Sequence, residues 1–544
     1  MTTFRLTCSS FLVFASLVTA SLARADEPKA PATCESLKDL ALENVTITSA
    51  ESVSAGSKFF WKGLFIGLPF FHQPASCRIA GSIHPTTDSD IRFELWMPVA
   101  DAWNKKFQGL GNGGLAGSID TLSLNAALQG GYAAVSTDTG HEASDLVGTW
   151  ALGHPEKLTD YGYRAIHETT LAAKALIAAF YGEKPAYNYF GSCSNGGREA
   201  LVEAQRYPED YDGILVGAPA FDGTNNVRVT TWIQNQLLSD PANYLASYKL
   251  PAINDAAINA CDANDGVKDG LIDDPRTCRF DHAILQCKAG DDATSPSCLT
   301  EPQLKSLRAI YEGPGGAIGD SVNHGFEFGG ERSWARWITG PAPRQSIGYI
   351  FANEFHRYLI YSDPTWTFDR YDFAKDSAAA MEHMAPFYNA TDPDLTPFIN
   401  RGGKIIFYHG WDDYALQPRN TIDYFNRVKE KLGAEKAEQS TRLYMVPGME
   451  HCFAGPGPNI FGQLPPGGSD ASHNISKTLE EWVEKGKAPK EIIATKYDET
   501  FRPLIAPEKA KALRTRPLCP YPQVAKWNGT GNTDEASSFT CAAP

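Results

Sequence analysis

Three separate stretches of the sequence carry residue types that could act together in hydrolytic chemistry. Residues 189–200, "YFGSCSNGGREA", place Ser194 before two glycines; "KIIFYHGWDDYALQP" offers Asp412 and Asp413, and "RLYMVPGMEHCF" offers His451. A histidine can take the proton of a serine hydroxyl as general base, and a buried carboxylate holds that histidine in the correct tautomer. The residue types therefore predict a serine nucleophile with a histidine base, and they leave the choice between the two aspartates open.

Each of these residues follows a short run that predicts a β-strand. The runs "AYNYF", "KIIFYHG" and "RLYMVPG" are apolar, aromatic or β-branched and are ended by glycine. A helical pattern follows Ser194, so this serine stands at a sharp strand-to-helix turn, where the neighbours must be small because the backbones come close. Ser192 does not fit the apex, since Cys193 and Ser194 separate it from the glycines. The chain order of serine, acid and histidine is that of the α/β-hydrolase fold.

The elements around these turns alternate between strand and helix. Helical patterns cover 159–182 and 196–213, and "GILVGAP" at 213–219 predicts a buried strand. Strand, helix and strand in succession predict a parallel sheet with crossover helices. We therefore predict an α/β fold in which residues 26–221 and 391–544 form the two parts of one α/β-hydrolase domain.

Between these two parts, residues 222–390 differ in composition. An acidic, cysteine-bearing region at 261–298 is followed by a segment dense in aromatic residues, with eleven in the forty residues from 334 to 373. The chain has 544 residues, more than the roughly 250 to 300 at which a single hydrophobic core stops growing. We predict that residues 222–390 are a lid domain inserted into the main domain.

The N-terminus predicts export, and the net charge argues against two classes of partner. Residues 1–25 contain Arg5, an apolar stretch and the small-residue sequence "ARA", as a cleavable secretory signal does. No later stretch approaches the roughly 18 uninterrupted apolar residues of a membrane span. A formal net charge of −15 disfavours binding to nucleic acid or to an anionic membrane. We expect a secreted or periplasmic protein, and the sequence indicates no oligomeric state.

The cysteines are consistent with export. The sequence has eleven, and removal of the signal takes Cys8 away, which leaves ten for five disulfides in an oxidising compartment. Cys193 directly precedes Ser194 and Cys452 directly follows His451, so a catalytic serine and histidine would bring the two sulfurs close together. A disulfide between them would close a loop of about 260 residues and stabilise the fold by about 5 kcal/mol in the chain-entropy treatment.

The segments "CSNGGR", "YHGWDD" and "PGMEHC" together resemble the tannase and feruloyl esterase family of serine esterases. The resemblance runs over most of the mature chain, with the three motifs in the family's order. It implies that Asp413, rather than Asp412, is the acid of the triad. Family sequences commonly have glycine at the position of Ser192, so this serine is a departure in the turn and not in the nucleophile.

A serine esterase also needs two backbone N–H groups directed at the oxyanion, each worth about 3 kcal/mol of barrier. Asn195, the residue after the nucleophile, would supply one of them. The glycine-rich stretch 107–118, "FQGLGNGGLAGS", is the only good source of the second. The family pattern implies that Gly114 is this donor.

Carboxylates recur among glycines in "CDANDGVKDGLIDDP" at 261–275. Hard oxygen ligands at short intervals on a tight loop suit Ca²⁺, although the spacing is not that of an EF-hand. Similar lids in the family hold a calcium ion. The resemblance implies a structural Ca²⁺ bound by Asp262, Asp265, Asp269 and the carbonyls of Val267 and Leu271.

The resemblance also implies how the remaining cysteines pair. The implied disulfides join neighbours along the chain: Cys34 with Cys77, Cys261 with Cys278, Cys287 with Cys298, and Cys519 with Cys541. With the bridge between Cys193 and Cys452, all ten cysteines of the mature chain are used.

We therefore predict a secreted serine carboxylesterase that forms an acyl-enzyme on Ser194 and hydrolyses it with water activated by His451. The resemblance implies esters of aromatic acids, of feruloyl or galloyl type, and rings of the lid could stack on an aryl acyl group. Hydrolases of mono(2-hydroxyethyl) terephthalate share the scaffold, and this alternative needs a cation for the free carboxylate. Four arginines of the lid are candidates, and the sequence does not indicate which of them, if any, faces the site: Arg332, Arg336, Arg344 and Arg357.

A noncatalytic, calcium-stabilised binding protein on a hydrolase scaffold is the alternative from another class. It predicts a damaged triad, whereas serine, acid and histidine are all present in this sequence. The sequence therefore favours the enzyme.

Overall fold

A computed structural model describes residues 32–59, 71–315, 317–318, 321–464, 470–505 and 509–544. The predicted signal at 1–25 lies outside the described residues. Within these ranges, no helix combines the length and the apolar character that crossing a membrane requires.

The strands are β1 (Val45–Val53), β2 (Ser57–Phe59), β3 (Phe71–Gln73), β4 (Ser76–Ile83), β5 (Ile91–Pro98), β6 (Lys106–Leu110), β7 (Ala133–Thr137), β8 (Tyr187–Cys193), β9 (Gly213–Gly217), β10 (Ala317–Ile318), β11 (Ser321–Val322), β12 (Lys404–Gly410), β13 (Thr441–Val446), β14 (Ile492–Tyr497), β15 (Ala512–Leu518), β16 (Val524–Trp527) and β17 (Phe539–Ala542).

The α-helices are α1 (Thr121–Gln129), α2 (Pro155–Thr159), α3 (Ala165–Tyr181), α4 (Asn195–Arg206), α5 (Gly223–Leu238), α6 (Leu250–Cys261), α7 (Glu301–Glu312), α8 (Trp334–Trp337), α9 (Ile347–Glu354), α10 (Phe373–His383), α11 (Ala385–Tyr388), α12 (Thr396–Asn400), α13 (Pro418–Leu432), α14 (Ala434–Ser440), α15 (Ile475–Lys485) and α16 (Arg502–Ile505). A π-helical turn, Asp160–Arg164, precedes α3, and another, Phe355–Ile360, follows α9.

A nine-stranded sheet in the order β1-β4-β5-β7-β6-β8-β9-β12-β13 forms the centre of the molecule. The strands from β7 to β13 in this order pair in parallel, whereas β1, β4, β5 and β7 pair antiparallel. Because the carboxyl ends of parallel strands share one edge, the loops after β6, β8, β12 and β13 meet there. The predicted α/β-hydrolase fold is confirmed.

Both faces of the parallel strands are covered. Phe190 of β8 and Phe407 of β12 pack in one core with side chains of α3, α4 and α13. Their neighbours Tyr189 and Ile406 point to the other face and pack with α15. Successive residues of a strand face opposite sides, so strands covered on both sides need the nearly continuous apolar runs seen in the sequence.

One predicted helix ends earlier than the sequence pattern indicated. The pattern predicted a helix to residue 213, but α4 ends at Arg206, and Tyr207 has the non-helical dihedrals φ −128° and ψ 56°. Pro208 follows, and a proline disfavours helical dihedrals in the residue before it. The proline thereby frees the chain to turn into β9.

The predicted lid segment, 222–390, contains helices α5 to α11 and builds hydrophobic cores of its own. Of the eleven aromatic residues at 334–373, three are buried in these cores: Trp334, Trp366 and Phe368. Phe355 is buried in a core that the lid segment shares with the main domain. The boundaries at 222 and 390 stay predictions.

β9 and β12 are neighbours in the sheet, although the whole lid segment separates them in the sequence. Gly213 pairs with Lys404 and Gly217 with Tyr408. The lid therefore lies within the connection between two adjacent parallel strands.

Candidate active site

Ser194 stands at the turn between β8 and α4, with φ 64° and ψ −123°. A non-glycine residue held in such a sparsely populated conformation costs of the order of 1–3 kcal/mol. The turn is fixed by hydrogen bonds from Ser194 N–H to the Gly217 carbonyl and from Ala220 N–H to the Ser194 carbonyl, both 3.0 Å long. Ser194 is only half-buried. Its hydroxyl is thus presented on a rigid, strained turn.

Ser192 fits this turn because the residues packed against it are glycines. A Cβ on Gly196 would lie 2.0 Å from Ser192 Oγ, and a Cβ on Gly111 would lie 2.9 Å from Ser192 Cβ. A Cβ on Gly197 would lie 2.4 Å from the Gly217 carbonyl oxygen. The glycines around the turn therefore leave the space that the serine at position 192 occupies.

Asp413 lies in the loop after β12 and accepts four hydrogen bonds. Its Oδ2 accepts from His451 Nδ1 at 2.7 Å and from His409 Nε2 at 3.0 Å, and its Oδ1 accepts from the N–H groups of Ala415 and Leu416 at 2.8 and 2.9 Å. These donors use all of the roughly four lone-pair sites of a carboxylate. Burial acts to raise the pKa of Asp413, but His451 and His409 outweigh it and hold this pKa below its ordinary value.

Asp412 has the opposite environment. It is buried, and burial, together with the charges of Glu331 and Glu450, raises its pKa well above the ordinary value. A neutral carboxyl group cannot stabilise an imidazolium ion. Of the two aspartates left open by the residue types, the one in contact with His451 is Asp413.

The Cys193–Cys452 disulfide joins the end of β8 to the loop after β13, with its Cα atoms 5.9 Å apart and a sequence separation of 259. It connects the residue before Ser194 to the residue after His451. The other disulfides are Cys34–Cys77, Cys261–Cys278, Cys287–Cys298 and Cys519–Cys541. All five predicted pairings are confirmed.

The two predicted oxyanion donors lie in the loops that follow β6 and β8. Asn195 is the first residue of α4, where a backbone N–H has no acceptor within the helix. Gly114 has φ 51°, and a Cβ there would lie 2.2 Å from the Asp145 carbonyl oxygen. Across the described ranges, no hydrogen-bond acceptor is found for the Gly114 N–H. Among the described residues, neither N–H has a hydrogen-bond acceptor.

The sequence matches the family described as "Tannase and feruloyl esterase" over residues 77–542. The chain belongs to the tannase and feruloyl esterase family. It is a carboxylic ester hydrolase, as the motifs predicted.

Individual members of the family extend over nearly the whole chain. An uncharacterised esterase of Xanthomonas campestris pv. campestris is 38% identical over 94% of this chain and 91% of its own. The mono(2-hydroxyethyl) terephthalate hydrolase of Piscinibacter sakaiensis is 31% identical over 87% of this chain and 85% of its own. The crystal structure of feruloyl esterase B from Aspergillus oryzae has a TM-score of 0.84 and 26% identity, and it covers 94% of this chain and 99% of its own.

Two buried residues near the start of α4, directly after the Ser194 turn, were not identified from the sequence. Arg198 donates to Asn195 Oδ1 at 2.8 Å and to the Tyr161 carbonyl at 3.0 Å. Glu199 accepts from the Asn112 N–H at 2.9 Å and from Asn195 Nδ2 at 2.8 Å, and burial raises its pKa to about 7. An arginine and a glutamate on a helix usually indicate a solvent-exposed face, so no sequence signal marked them as buried.

Two further residues, Tyr414 and Glu450, neighbour His451, and the charge of one lid arginine acts on both. The Tyr414 ring centre lies 6.2 Å from that of His451, and burial raises the pKa of Tyr414 to about 12. Burial also raises the pKa of Glu450, whereas the charge of Arg336 acts to lower it. Arg336 of the lid is exposed and acts on the pKa of Tyr414 as well. Of the four candidate arginines, Arg336 is the one whose charge acts on these two neighbours of His451.

The other three candidate arginines of the lid bind other groups. Arg332 pairs with Asp255 at 2.6 Å and Arg344 with Asp369 at 2.7 Å. Arg357 Nε donates to the Trp366 carbonyl at 2.8 Å.

The predicted calcium loop folds around its own carboxylates. Asp262 Oδ1 accepts from the N–H groups of Asp269 and Gly270 at 3.0 and 3.1 Å. Asp265 Oδ1 accepts from the Val267 N–H at 2.9 Å. Each of these side chains keeps a second oxygen that could bind a cation.

Negative charge in this loop is only partly balanced. Burial raises the pKa of Asp265, Asp269 and Asp273, to about 7 for Asp273, and neighbouring carboxylates raise these pKa values further. Arg514 and Arg516 of β15 pair with Asp269 Oδ2. Crowded hard oxygen donors of this kind fit Ca²⁺.

A second group of possible metal ligands does not include Ser194, and a lysine side chain lies beside it. His167, Glu203 and Asp210 place one ligand atom each within 4.8 Å of one another. Lys174 Nζ lies 3.6 Å from Asp210 Oδ1. This lysine supplies the positive charge that a metal ion would bring.

Proposed function

We propose that this esterase hydrolyses esters of aromatic acids through an acyl-enzyme on Ser194, with His451 as general base and Asp413 as its partner. One observation carries the proposal. His451 Nδ1 donates a 2.7 Å hydrogen bond to Asp413. The residue after His451 forms a disulfide with the residue before Ser194, so that the three side chains belong to one region of the molecule. Because Nδ1 donates to the carboxylate, Nε2 is the ring nitrogen that can accept the serine proton.

In the first half of the reaction, Ser194 Oγ attacks the ester carbonyl carbon while His451 Nε2 takes its proton. The resulting oxyanion accepts hydrogen bonds from the N–H groups of Asn195 and Gly114. The C–O bond to the alcohol then breaks, and the alcohol leaves with the proton from His451. In the second half, His451 takes a proton from water while the water oxygen attacks the acyl carbon. The bond from the acyl carbon to Ser194 Oγ then breaks, Oγ regains its proton from His451, and the acid leaves. Asp413, saturated with donors, remains ionised and stabilises the imidazolium in both halves.

The serine mechanism is tested by stoichiometric labelling with an aryl phosphonate. We expect one label per chain on Ser194, no label in Ser194→Ala, and full labelling in the matched control Ser192→Ala. Labelling of Ser194→Ala at the same site, or no labelling of the unaltered enzyme, would contradict the mechanism and favour the noncatalytic alternative.

The substrate class is supported by the names of the relatives, which include feruloyl esterases and a tannase family description. We expect kcat/KM for methyl ferulate or methyl gallate to exceed that for an aliphatic ester of equal size, such as methyl octanoate. Equal or better hydrolysis of the aliphatic ester would overturn the aromatic-acid assignment while leaving the serine mechanism intact.

A terephthalate monoester is the second candidate substrate, because Arg336 is an exposed lid cation whose charge reaches Tyr414 and Glu450 beside the triad. It could pair with a free carboxylate on the acyl group. We expect Arg336→Gln to lower kcat/KM for the terephthalate monoester about tenfold and to leave methyl ferulate unchanged. Arg344→Gln, which removes an arginine paired with Asp369, is the matched control. Equal losses on both esters would remove this candidate.

We also propose a structural calcium ion held by Asp262, Asp265, Asp269 and the carbonyls of Val267 and Leu271. The crowded carboxylates of this loop and their raised pKa values support it. The ion would neutralise charge and fix the loop, and it takes no part in the ester chemistry.

Export is the remaining part of the proposal, and the five disulfides support it because such bonds persist in oxidising compartments. N-terminal sequencing of the protein recovered outside the cytoplasm should begin at Asp26. A chain recovered there that still begins at Met1 would contradict the predicted cleavage after Ala25.

A further inference from the structure

A chain of buried side chains links the loop of Gly114 to the lid. The Tyr161 hydroxyl lies 3.0 Å from the Gly114 carbonyl oxygen and 3.0 Å from the Tyr388 hydroxyl. A carbonyl can only accept, so the arrangement that satisfies all three groups has Tyr161 donating to Gly114 and Tyr388 donating to Tyr161. Tyr161 and Tyr388 are only 1% and 2% exposed, and water therefore cannot replace either hydroxyl.

Arg198 holds both tyrosines in place. Its guanidinium donates to the backbone carbonyls of Tyr161 and Tyr388 at 3.0 and 3.3 Å, and it lies 5.3 and 4.5 Å from the centres of their rings. The same group donates to Asn195 Oδ1. One buried side chain thus contacts the residue that carries one oxyanion N–H and the tyrosine that supports the other.

Gly114 needs this support because it has no side chain to restrict its dihedral angles. On one side, the Gly113 carbonyl accepts from the Ala116 N–H at 2.8 Å; on the other, the Leu115 N–H donates to the Asp145 carbonyl at 2.8 Å. The Tyr161 hydroxyl fixes the remaining group, the Gly114 carbonyl itself. Rotation about Gly114 would turn its N–H away from the oxyanion, and a lost oxyanion donor costs about 10²–10³ in kcat.

We propose that Tyr161 is a positioning residue of the oxyanion hole: it bonds the Gly114 carbonyl and thereby directs the Gly114 N–H at the developing charge, with Tyr388 supporting it from the lid. The inference rests on the oxyanion role proposed for Gly114. It requires the Tyr161 hydroxyl to act on the transition state and not on the bound ester, since only the transition state carries the full oxyanion charge.

The test compares Tyr161→Phe with Tyr424→Phe in the full chain. Tyr424 is a matched control because it is also buried and its hydroxyl also donates to a backbone carbonyl, that of Asp392 at 2.9 Å, which is not part of the oxyanion loop. For Tyr161→Phe we expect kcat to fall about tenfold with KM within about twofold, and the Ki of an aryl boronic acid to rise by the same factor as kcat/KM falls. The boronate forms a tetrahedral adduct whose oxygen occupies the oxyanion hole. For Tyr424→Phe both constants should stay within about twofold after correction for the folded fraction.

A second variant keeps the test decisive if Tyr161→Phe does not fold. Tyr388→Phe leaves the Tyr161 hydroxyl and removes only its own, so kcat should fall about threefold and the boronate Ki should rise in parallel. Unchanged kcat and Ki in the foldable variants, or a loss confined to KM, would overturn the proposal. Failure of the unaltered enzyme to bind the boronate would instead overturn the serine mechanism, and the proposal with it.

Discussion

Asp412 and Asp413 are neighbours in sequence, yet their surroundings give them opposite proton affinities. Asp413 meets four hydrogen-bond donors, whereas Asp412 is buried close to the charges of Glu331 and Glu450. At the scale of single residues, the groups that surround each side chain in the loop after β12 therefore determine whether its pKa is raised or lowered.

This contrast predicts different effects for the same chemical change at the two positions. Asp413→Asn removes the charge that stabilises the His451 imidazolium and should lower kcat about 10⁴-fold, as loss of a triad carboxylate does. Asp412→Asn replaces a neutral acid by a neutral amide of the same shape and should leave kcat within a few-fold. Steady-state kinetics of both variants on one aryl ester measures this, and equal losses would contradict the assignment of the acid.

The pH dependence of stability should also differ. The pKa of Asp412 is raised on folding, so its contribution to stability is fully present below about pH 4, the ordinary carboxyl pKa, and is lost as the pH rises toward the folded value. Asp412→Asn removes this loss. The Tm of the variant minus the Tm of the parent should therefore be larger at pH 8 than at pH 5. Asp413 has a lowered pKa, so its contribution to stability is fully present above about pH 4, the ordinary carboxyl pKa, and is lost as the pH falls below it. Asp413→Asn should therefore be destabilised equally at pH 5 and pH 8, and less at pH 3. Thermal melts at the three pH values test the signs: an Asp412→Asn difference that is the same at pH 5 and pH 8, or an Asp413→Asn difference that does not shrink at pH 3, would refute them.

At the scale of elements, the four loops after β6, β8, β12 and β13 supply the whole site because parallel strands bring their carboxyl ends to one edge. The lid loop that carries Asp269 is fastened to the main domain by Arg514 and Arg516 of β15. A cation bound in this loop would thus stabilise a contact between the lid and the C-terminal strands.

Removal of calcium should therefore lower stability without altering the chemical step. We expect EDTA to lower the Tm by several degrees, since an ion at 100 times its Kd contributes about 2.7 kcal/mol to folding. kcat per folded molecule should not change. Asp262→Asn should weaken the response to EDTA, and Asp281→Asn, an exposed carboxylate in the same region, should not. A Tm that is the same with EDTA and with added Ca²⁺ would show that the loop does not use the ion.

Some features of these elements could be predicted from the sequence, and others could not. Strands β8, β9, β12 and β13 could be predicted because their apolar runs end at glycine or proline, and the pairing of Cys193 with Cys452 followed from their positions beside Ser194 and His451. The burial of Arg198 could not, because it depends on contacts with Tyr161 and Tyr388, which are distant in sequence. Stacking of lid rings on a substrate stays a prediction, and several rings of the aromatic-rich segment form a core of the lid itself.

At the scale of the whole molecule, the Cys193–Cys452 disulfide acts on both stability and geometry. We expect Cys193→Ala/Cys452→Ala to lose up to about 5 kcal/mol of stability in the chain-entropy treatment and to lower kcat at least tenfold, since small displacements of catalytic groups are costly. Cys287→Ala/Cys298→Ala opens a loop with a sequence separation of only 11. This control should lose about 3 kcal/mol and keep its kcat. Denaturant melts and kinetics separate the two effects, and equal kcat in both double variants would contradict the geometric role.

The direct pairing of β9 with β12 has a consequence for how this enzyme can diversify. The pairing of the two strands fixes only the two ends of this connection. Lengthening a flexible connection lowers the free energy of unfolding by only about 0.6 kcal/mol for each doubling of its length. Much of this connection can therefore be exchanged, provided that Ala220, which bonds the Ser194 carbonyl, and Tyr388, which bonds Tyr161, are kept. New substrate ranges could arise by transplanting lids between homologues, with the catalytic sheet inherited unchanged.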